Sequence, residues 1–241
     1  MRLDVFLTEK GFATSRTEAK NLITAGAVTV KGRCITKPAF DVVEELADIS
    51  VDRSYKKYVS RGGFKLEGAL AAFGVDPSGR LAIDIGASSG GFTDCLLQHG
   101  ARHVISVDSG SGQLVDSVRQ DSRVTAIENY NARYMNSSDF EYTPDLAVMD
   151  VSFISATYII PQVYEILADG GEFVCLIKPQ FEVGRAKLSK GGIVKSEKHR
   201  LEALAKVTDF AIAQGFKLLA TTVSPIEGGD GNIEYLAHFR K

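Results

Sequence analysis

Short apolar runs recur along residues 81–240, and most of them end in a polar residue or lead into a glycine-rich turn. Their lengths are typical of buried strands. We place these strands at residues 81–83, 103–107, 124–127, 145–150, 172–177, 216–223 and 232–240. Helix-like stretches lie between several of them, at residues 93–98, 157–167 and 196–214. This alternation predicts an α/β fold with an open, mostly parallel sheet that is covered on both faces.

The first 58 residues follow a different pattern. A short helix fits residues 3–7, and a second begins where Ser15 and Glu18 form a capping box. A hairpin is predicted at residues 27–35, with its turn at Lys31 and Gly32. A charged joint at residues 52–60 then separates a small α+β domain, 1–58, from the α/β domain, 59–241.

A loop rich in glycine and serine follows the first strand of the larger domain. It opens with Asp84, continues through Gly86, Gly90 and Gly91, and leads into a helix. Glycine permits a tight turn and a close approach of the backbone to a ligand. Asp108 ends the next strand, 22 residues after Gly86. An acid at that position suits a ribose diol, so the segment predicts a nucleoside site.

The spacing of the glycines in this loop limits the possible classes of ligand. It matches neither the dinucleotide fingerprint nor the P-loop, and Asp84 would repel a pyrophosphate. A cationic ligand with a ribose fits better, and S-adenosylmethionine (SAM) is such a ligand; the alternative is a plain structural turn. Because Glu128 and Asn129 end the third strand, we expect them to lie beside the adenine of the cofactor. The predicted cofactor residues are Asp84, Gly86, Ala87, Ser88, Gly90, Gly91, Phe92, Asp108, Glu128, Asn129 and Asp150.

Charge is distributed unevenly although the net charge is only −2. Residues 1–61 carry 11 Lys and Arg against 8 Asp and Glu, whereas the remainder carries 17 against 22. A basic segment on an acidic body indicates contact with a polyanion, the alternative being an ordinary solvated surface. The side chains that could share one basic face are Arg2, Lys10, Arg16, Lys20, Lys31 and Arg33.

Several classes of protein are disfavoured by the composition. No run approaches the roughly 20 apolar residues of a membrane span, and the charged start is unlike a signal peptide. Cys34, Cys95 and Cys175 are widely separated, so we interpret them as buried thiols of a cytoplasmic protein. The four histidines lack metal-ligand spacing, so no metal is expected.

The amino-terminal segment closely resembles the S4 RNA-binding domain. The residues that carry the match are Arg2-Leu-Asp, Ser15-Arg16, Ala19-Lys20, Ile23 to Gly26 and Val28-Thr-Val-Lys-Gly. The resemblance implies that this domain holds structured RNA, chiefly through phosphates. The alternative is an S4 fold that serves only for packing.

The larger domain resembles FtsJ-type RNA ribose 2′-O-methyltransferases, in which a Lys-Asp-Lys-Glu tetrad carries the reaction. The residues that match the tetrad are Lys65, Asp150, Lys178 and Glu234. They lie in the matched motifs Ser60-Arg-Gly-Gly-Phe-Lys-Leu, Asp150-Val-Ser-Phe-Ile-Ser, Lys178-Pro-Gln-Phe-Glu and Gly231-Asn-Ile-Glu-Tyr. The whole chain, an S4 domain fused to this catalytic domain, resembles the TlyA or haemolysin A-like family. The resemblance implies SAM-dependent 2′-O-methylation of ribosomal RNA, with cytidine as the target.

The chemistry of ribose methylation suggests a role for each tetrad member. A ribose hydroxyl is a poor nucleophile, so a base or strong orientation is needed. We expect Lys178 to lie at the cleft mouth, crowded by Lys65, and to accept the hydroxyl proton. Asp150 and Glu234 would hold the two amines by hydrogen bonds and set their geometry. Lys65, which we expect on a more polar helix, is assigned to orientation, and Lys178 to proton acceptance.

Three alternatives remain at this point. The family label suggests a haemolysin, which the absence of spanning segments disfavours. The second is an RNA-binding or ribosome-associated protein whose methyltransferase domain is vestigial, and the third is a small-molecule methyltransferase. The expected partner is ribosomal RNA or a ribosomal subunit, and the sequence indicates no protein partner and no membrane insertion.

Overall fold

The computed structural model describes residues 1–24, 26–43, 48–52, 57–228 and 231–241. These residues form two compact units, 1–61 and 62–241. Residues 53–56 of the predicted joint lie outside the described residues, so the boundary after residue 58 stays a prediction. Each unit has its own hydrophobic core.

The amino-terminal unit packs two helices against a small antiparallel sheet. Its elements are α1 (Leu3–Glu9), α2 (Arg16–Thr24), β1 (Val28–Val30), β2 (Arg33–Cys34) and β3 (Ile49–Val51). The Ser15 hydroxyl caps α2 by accepting the Glu18 N–H at 3.1 Å, and Glu18 reaches back to the Thr14 N–H at 2.7 Å. Lys31 and Gly32 both have positive φ, as a tight hairpin turn requires.

Two expectations for this unit need correction. The strand β3, which pairs with β1 in the order β2-β1-β3, was not predicted. Its three residues are too few to show alternation, and its partner is distant in sequence. Cys34 is exposed, whereas Cys95 and Cys175 are buried as expected. Cys34 lies on the solvated edge strand β2, where neither face is covered.

The second unit is built on one seven-stranded sheet, which confirms the predicted α/β fold. Its strands are β4 (Leu81–Ile85), β5 (His103–Val107), β6 (Val124–Ile127), β7 (Leu146–Met149), β8 (Glu172–Ile177), β9 (Lys217–Val223) and β10 (Tyr235–Arg240). Their order is β6-β5-β4-β7-β8-β10-β9. The first five are parallel, and β10 runs antiparallel to both β8 and β9.

Three helices of this unit agree with the predicted ranges, a further one carries Lys65 as expected, and two are additions. They are α3 (Gly62–Phe73), α4 (Gly91–Gln98), α5 (Asp116–Arg119), α6 (Ile160–Ile166), α7 (Pro179–Glu182) and α8 (Glu197–Ala213). The short helices α5 and α7 were not predicted, because one turn is too brief for a helical period. Residues 156–158 form a 3₁₀ turn, so α6 begins later than expected.

One edge of the sheet collects the polar residues that follow its strands. The chain passes from β4 outward through β5 to β6 and then returns to β7 on the other side of β4. Ligands of such sheets bind at this switch point, beyond the carboxyl ends of the strands. Gly86, Asp108, Asp150 and Lys178 each directly follow a strand at this edge.

Candidate active site

The loop after β4 is packed tightly on the loop after β7. Gly86 has φ of 87°, and a Cβ built on it would lie 2.4 Å from the Asp150 carbonyl oxygen. The Asp150 N–H in turn donates to the Ile85 carbonyl at 3.0 Å. No side chain fits at Gly86 without moving the backbone that carries Asp150. The predicted nucleoside loop and the predicted tetrad therefore share one site.

Asp84 lies inside β4 rather than after it, because the strand extends to Ile85. Its side chain is fully buried, and Oδ2 accepts a hydrogen bond from Thr93 Oγ1 at 2.7 Å. Oδ1 is buried without a hydrogen-bond partner among the described residues. Burial, with smaller contributions from Asp150 and Asp108, raises the pKa of Asp84 to about 7. An orphaned acidic oxygen behind the loop suits a cationic ligand.

Replacement of Asp84 by asparagine is expected to stabilise the ligand-free protein more at pH 8 than at pH 5. The folded pKa of about 7 exceeds the ordinary value of 3.8, so stability from this group is complete below pH 3.8 and is lost as the pH rises through 7. Asparagine does not ionise, so the stability gained by the substitution should grow by about 2–3 kcal/mol between pH 5 and pH 8. Urea unfolding at both pH values measures it, with the exposed Asp209→Asn as control. A gain that is equal at both pH values would contradict the assignment.

Asp108 joins the loops that follow β4 and β5. Its Oδ2 accepts the Ser88 N–H at 2.8 Å, and its Oδ1 accepts the Gly110 N–H at 2.7 Å. Each carboxylate oxygen has a second lone pair. The position thus remains suited to a ribose diol, and it also shapes the loop itself.

Glu128 is engaged with the protein. Its carboxylate lies 2.6 Å from Arg119 Nη2 and accepts the Gly112 N–H at 3.1 Å. The Arg119 guanidinium, above all, lowers the pKa of Glu128 to about 2. The neighbouring Asn129 has positive φ and donates its N–H to the Gly110 carbonyl. Both residues shape the segment after β5, and their contact with an adenine stays a prediction.

The four tetrad residues form two ion pairs. Lys65 Nζ lies 2.5 Å from Glu234 Oε2, and Lys178 Nζ lies 2.5 Å from Asp150 Oδ1. Ser152 Oγ accepts a further hydrogen bond from Lys178 at 2.7 Å. Each amine thus has its own carboxylate, as the proposed division of roles requires.

The expected difference in burial between the two lysines is not found. The Lys65 side chain is 8% exposed and that of Lys178 is 11% exposed, although Lys65 was expected on a more polar helix. The residues around Lys65 on α3 are mostly apolar, and that face of the helix is buried. Desolvation therefore does not separate the two amines, and the choice of Lys178 rests on its place at the carboxyl end of β8.

Three residues that support the tetrad were not singled out from the sequence. Glu182 is 9% exposed and accepts hydrogen bonds from Ser155 Oγ at 2.5 Å and the Ala156 N–H at 2.7 Å. It therefore fastens α7 to the loop that carries Asp150. Gln180 reaches Glu234 at 3.4 Å, and Ser152 holds Lys178. All three lie in the matched motifs, but only side-chain geometry reveals what they bind.

Phe153 stands out in the same loop. Its side chain is 92% exposed, its φ is 65°, and its ring centroid lies 5.2 Å from that of Phe181. Positive φ is strained for a phenylalanine and is found chiefly at functional sites. The sequence motif gave no reason to expect this conformation.

Asp4 organises the predicted basic face of the amino-terminal unit. Its buried carboxylate pairs with Arg2 Nε at 2.9 Å and with Arg16 Nη2 at 3.0 Å. Hydrogen bonding to Arg2, above all, lowers the pKa of Asp4 to about 2. The two arginine side chains remain about half exposed, so both can meet a ligand. The other predicted residues of this face, all exposed, are Lys10, Lys20, Lys31 and Arg33.

The described residues contain neither a membrane-spanning helix nor a metal-binding cluster. Every helix in these parts of the chain is too short or too polar to span a lipid bilayer. In the same residues, no group of three or more His, Cys, Asp or Glu side chains could hold a metal ion.

Comparison with known proteins gives two family matches and several relatives along the whole chain. Residues 58–241 match the FtsJ-like methyltransferase model, and residues 1–46 match the S4 domain. Hemolysin A of Brachyspira hyodysenteriae is 45% identical over 99% of both chains. The 16S/23S rRNA (cytidine-2′-O)-methyltransferase TlyA of Mycobacterium tuberculosis is 40% identical over 99% of this chain and 89% of its own. A solved Streptococcus thermophilus protein assigned as a hemolysin is 44% identical and covers all of this chain and 88% of its own, with a TM-score of 0.79.

Proposed function

Because the chain belongs to the family of FtsJ-like methyltransferases that carry an S4 domain, we infer that it is a SAM-dependent RNA ribose 2′-O-methyltransferase. The observation that carries this function is the pair of lysine–carboxylate contacts at the carboxyl edge of the methyltransferase sheet, beside the Gly86 loop. We propose cytidine in ribosomal RNA as the target, in line with the name of the Mycobacterium tuberculosis relative. From this proposed substrate we infer that the protein acts in the cytoplasm, at the ribosome.

The residues at the Gly86 loop fit SAM. Asp84 has a carboxylate oxygen without a hydrogen-bond partner, and Asp108 has lone pairs that could accept hydrogen bonds from a ribose. Gly86 has no side chain, so the backbone that carries Asp150 packs directly against the loop. We propose that these residues and the loop through Gly91 hold the cofactor. When bound, SAM supplies an electrophilic methyl group on a positively charged sulfur.

The two ion pairs suggest a division of labour. We propose that Lys178, in its neutral form, accepts the proton of the ribose 2′-hydroxyl at Nζ, and that Asp150 then stabilises the resulting ammonium ion. Ser152 fixes the direction of the Lys178 amine. Lys65, held by Glu234, orients the hydroxyl, because alignment of the reacting atoms supplies much of the rate of a displacement.

Aromatic and basic groups would bring the RNA to this site. We propose that exposed Phe153 stacks on an unpaired base of the bound strand, since unstacked RNA bases pack on aromatic side chains. The S4 unit, through Arg2, Arg16 and the other exposed cations, would hold the structured RNA around it. The intact tetrad disfavours a vestigial methyltransferase domain, and the S4 unit disfavours a small-molecule substrate.

Replacement of Asp108 by alanine is expected to weaken SAM binding about tenfold or more. A charge-assisted hydrogen bond is worth about 1.5–3 kcal/mol, and the variant also frees the Ser88 and Gly110 N–H groups. Isothermal titration with SAM measures the dissociation constant, and the exposed Asp116→Ala serves as the control. An unchanged dissociation constant would remove Asp108 from the cofactor site.

The target nucleotide can be located in cells. Ribose methylation of both ribosomal RNAs would be mapped in a deletion strain and in the strain complemented with this chain. We expect at least one 2′-O-methylated cytidine to disappear on deletion and to return on complementation. Identical maps in the two strains would contradict the proposed substrate.

A further inference from the structure

One short segment of the second unit concentrates positive charge. Residues 185–200 comprise a loop and the first turn of α8, and we term this segment the basic loop. It contains six Lys and Arg and one Glu. The rest of residues 62–241 contains eleven Lys and Arg against twenty-one Asp and Glu. The loop therefore carries a charge of opposite sign to the body on which it lies.

The basic loop is folded rather than loosely solvated. The Ser189 N–H and hydroxyl both donate to the Ile193 carbonyl, which closes a turn over Gly191 and Gly192. Both glycines have positive φ, as this turn requires. Val194 is 1% exposed and anchors the far side of the turn.

Asn232 ties the loop to the catalytic tetrad. Its side chain is 2% exposed, accepts the Val194 N–H at 3.0 Å and donates to the Gly192 carbonyl at 3.2 Å. Asn232 lies two residues before Glu234, and the loop begins seven residues after Lys178. The turn of the loop is thus hydrogen-bonded to the segment that carries Glu234, and the loop continues the segment that carries Lys178.

The protein itself does not neutralise most of this charge. Lys187 pairs with Glu202 at 2.6 Å, and Arg200 donates to the carbonyls of Val194 and Lys195. The remaining cations of the loop are Arg185, Lys190, Lys195 and Lys198, and all four are exposed. Within the described parts of the chain, none of their side chains forms a hydrogen bond or an ion pair. Lys198 acts electrostatically on Glu202, so Arg185, Lys190 and Lys195 are the cations of the loop that suit a row of phosphates.

We propose that the basic loop is a second RNA-contact surface, which binds phosphates of the strand that carries the target ribose. The inference rests on the proposed function and adds to it a contact outside the S4 unit. RNA is favoured over an anionic membrane because the apolar residues of the loop are turned inward. Val194 is buried, and Leu188 and Ile193 are half-buried, which leaves no apolar group to insert.

The test compares two full-length variants that each lose two positive charges. Lys190→Gln with Lys195→Gln removes loop cations, and the control, Arg102→Gln with Lys217→Gln, removes exposed cations at the amino-terminal ends of β5 and β9. Methyl transfer to purified ribosomal subunits and direct RNA binding would be measured over a range of salt. Titration with SAM reports on the cofactor site.

We expect the loop variant to raise KM for the subunits about tenfold, with kcat and SAM affinity unchanged. The slope of log binding constant against log salt should fall by about 1.4–1.8, because each lost phosphate contact contributes about 0.7–0.9. The control should match the wild type. Equal KM and equal salt slopes for the loop and control variants would overturn the inference.

Two further outcomes separate the possible failures. A wild-type protein that transfers no methyl group to RNA would refute the proposed function, while the RNA-binding measurement would still judge the loop. Binding of the wild type and the loop variant to vesicles of phosphatidylserine and phosphatidylcholine tests the alternative of a membrane partner. Vesicle binding that is lost in the loop variant, with RNA binding unchanged, would assign the loop to membranes and overturn the inference.

Discussion

Replacement of Lys178 by arginine is expected to reduce turnover roughly a hundred- to ten-thousandfold, the range that a general base contributes. Arginine keeps the positive charge and can still pair with Asp150, but it does not deprotonate at working pH. Binding of SAM and of RNA should therefore persist. The variant separates proton acceptance from the electrostatic role of Lys178.

Single-turnover methyl transfer to ribosomal subunits measures this effect without interference from product release. Lys206→Arg is the matched control, because Lys206 also pairs with a buried carboxylate, Glu182, but lies outside the tetrad. The control should retain wild-type turnover. Near-normal turnover of Lys178→Arg would mean that no base is needed and that positioning is the whole mechanism.

Removal of residues 1–58 is expected to have the second largest effect. Methylation of ribosomal subunits should fall by at least about a hundredfold, because phosphate contacts dominate the affinity of RNA-binding domains. Affinity for SAM should remain within about twofold, since the proposed cofactor residues lie within residues 84–150. Activity assays on subunits and titration with SAM measure the two quantities side by side.

A full-length variant tests the same contacts in case the truncated chain does not fold. Lys20→Gln with Arg33→Gln removes two exposed cations of the amino-terminal unit and leaves the buried Asp4 paired with Arg2 and Arg16. KM for subunits should rise, and the salt dependence should weaken. A truncated protein that methylates subunits normally would show that the S4 unit is not needed for recognition.

The strands of the second unit and their order of appearance were predictable because each is a run of mostly apolar residues. The five inner strands, β4, β5, β7, β8 and β10, are buried on both faces, so they need no alternation to be recognised. The strand β3 escaped prediction because it has three residues and pairs with a strand about twenty residues earlier. The short helices α5 and α7 escaped for a similar reason.

The tetrad positions were recognisable from motifs, but their environment was not. Lys65 was expected to lie on a more polar helix, yet it is about as buried as Lys178, and its partner Glu234 lies 169 residues away in the sequence. The role of Glu182 was likewise hidden, since its partners Ser155 and Ala156 come from another loop. Long-range side-chain pairs of this kind leave no local signal.

The basic loop was not predicted from the sequence, because the net charge was considered only over whole domains. Over the second unit the acidic residues outnumber the basic ones, so the sequence directed attention to the amino-terminal segment as the RNA-binding part. Only the anchoring of residues 192–194 by Asn232 indicates that the local excess belongs to a folded surface near the tetrad. A net charge taken over a whole domain misses such a surface.

The central claim is methyl transfer from SAM to a ribose hydroxyl of RNA. Its most direct test is incubation of the purified protein with methyl-labelled SAM and ribosomal subunits from a strain that lacks the enzyme, followed by mass spectrometry of the digested nucleosides. The account predicts labelled 2′-O-methylcytidine with the wild type and at most about a hundredth of that amount with Lys178→Arg. Label on a nucleobase, or no labelled nucleoside with either subunit, would contradict it.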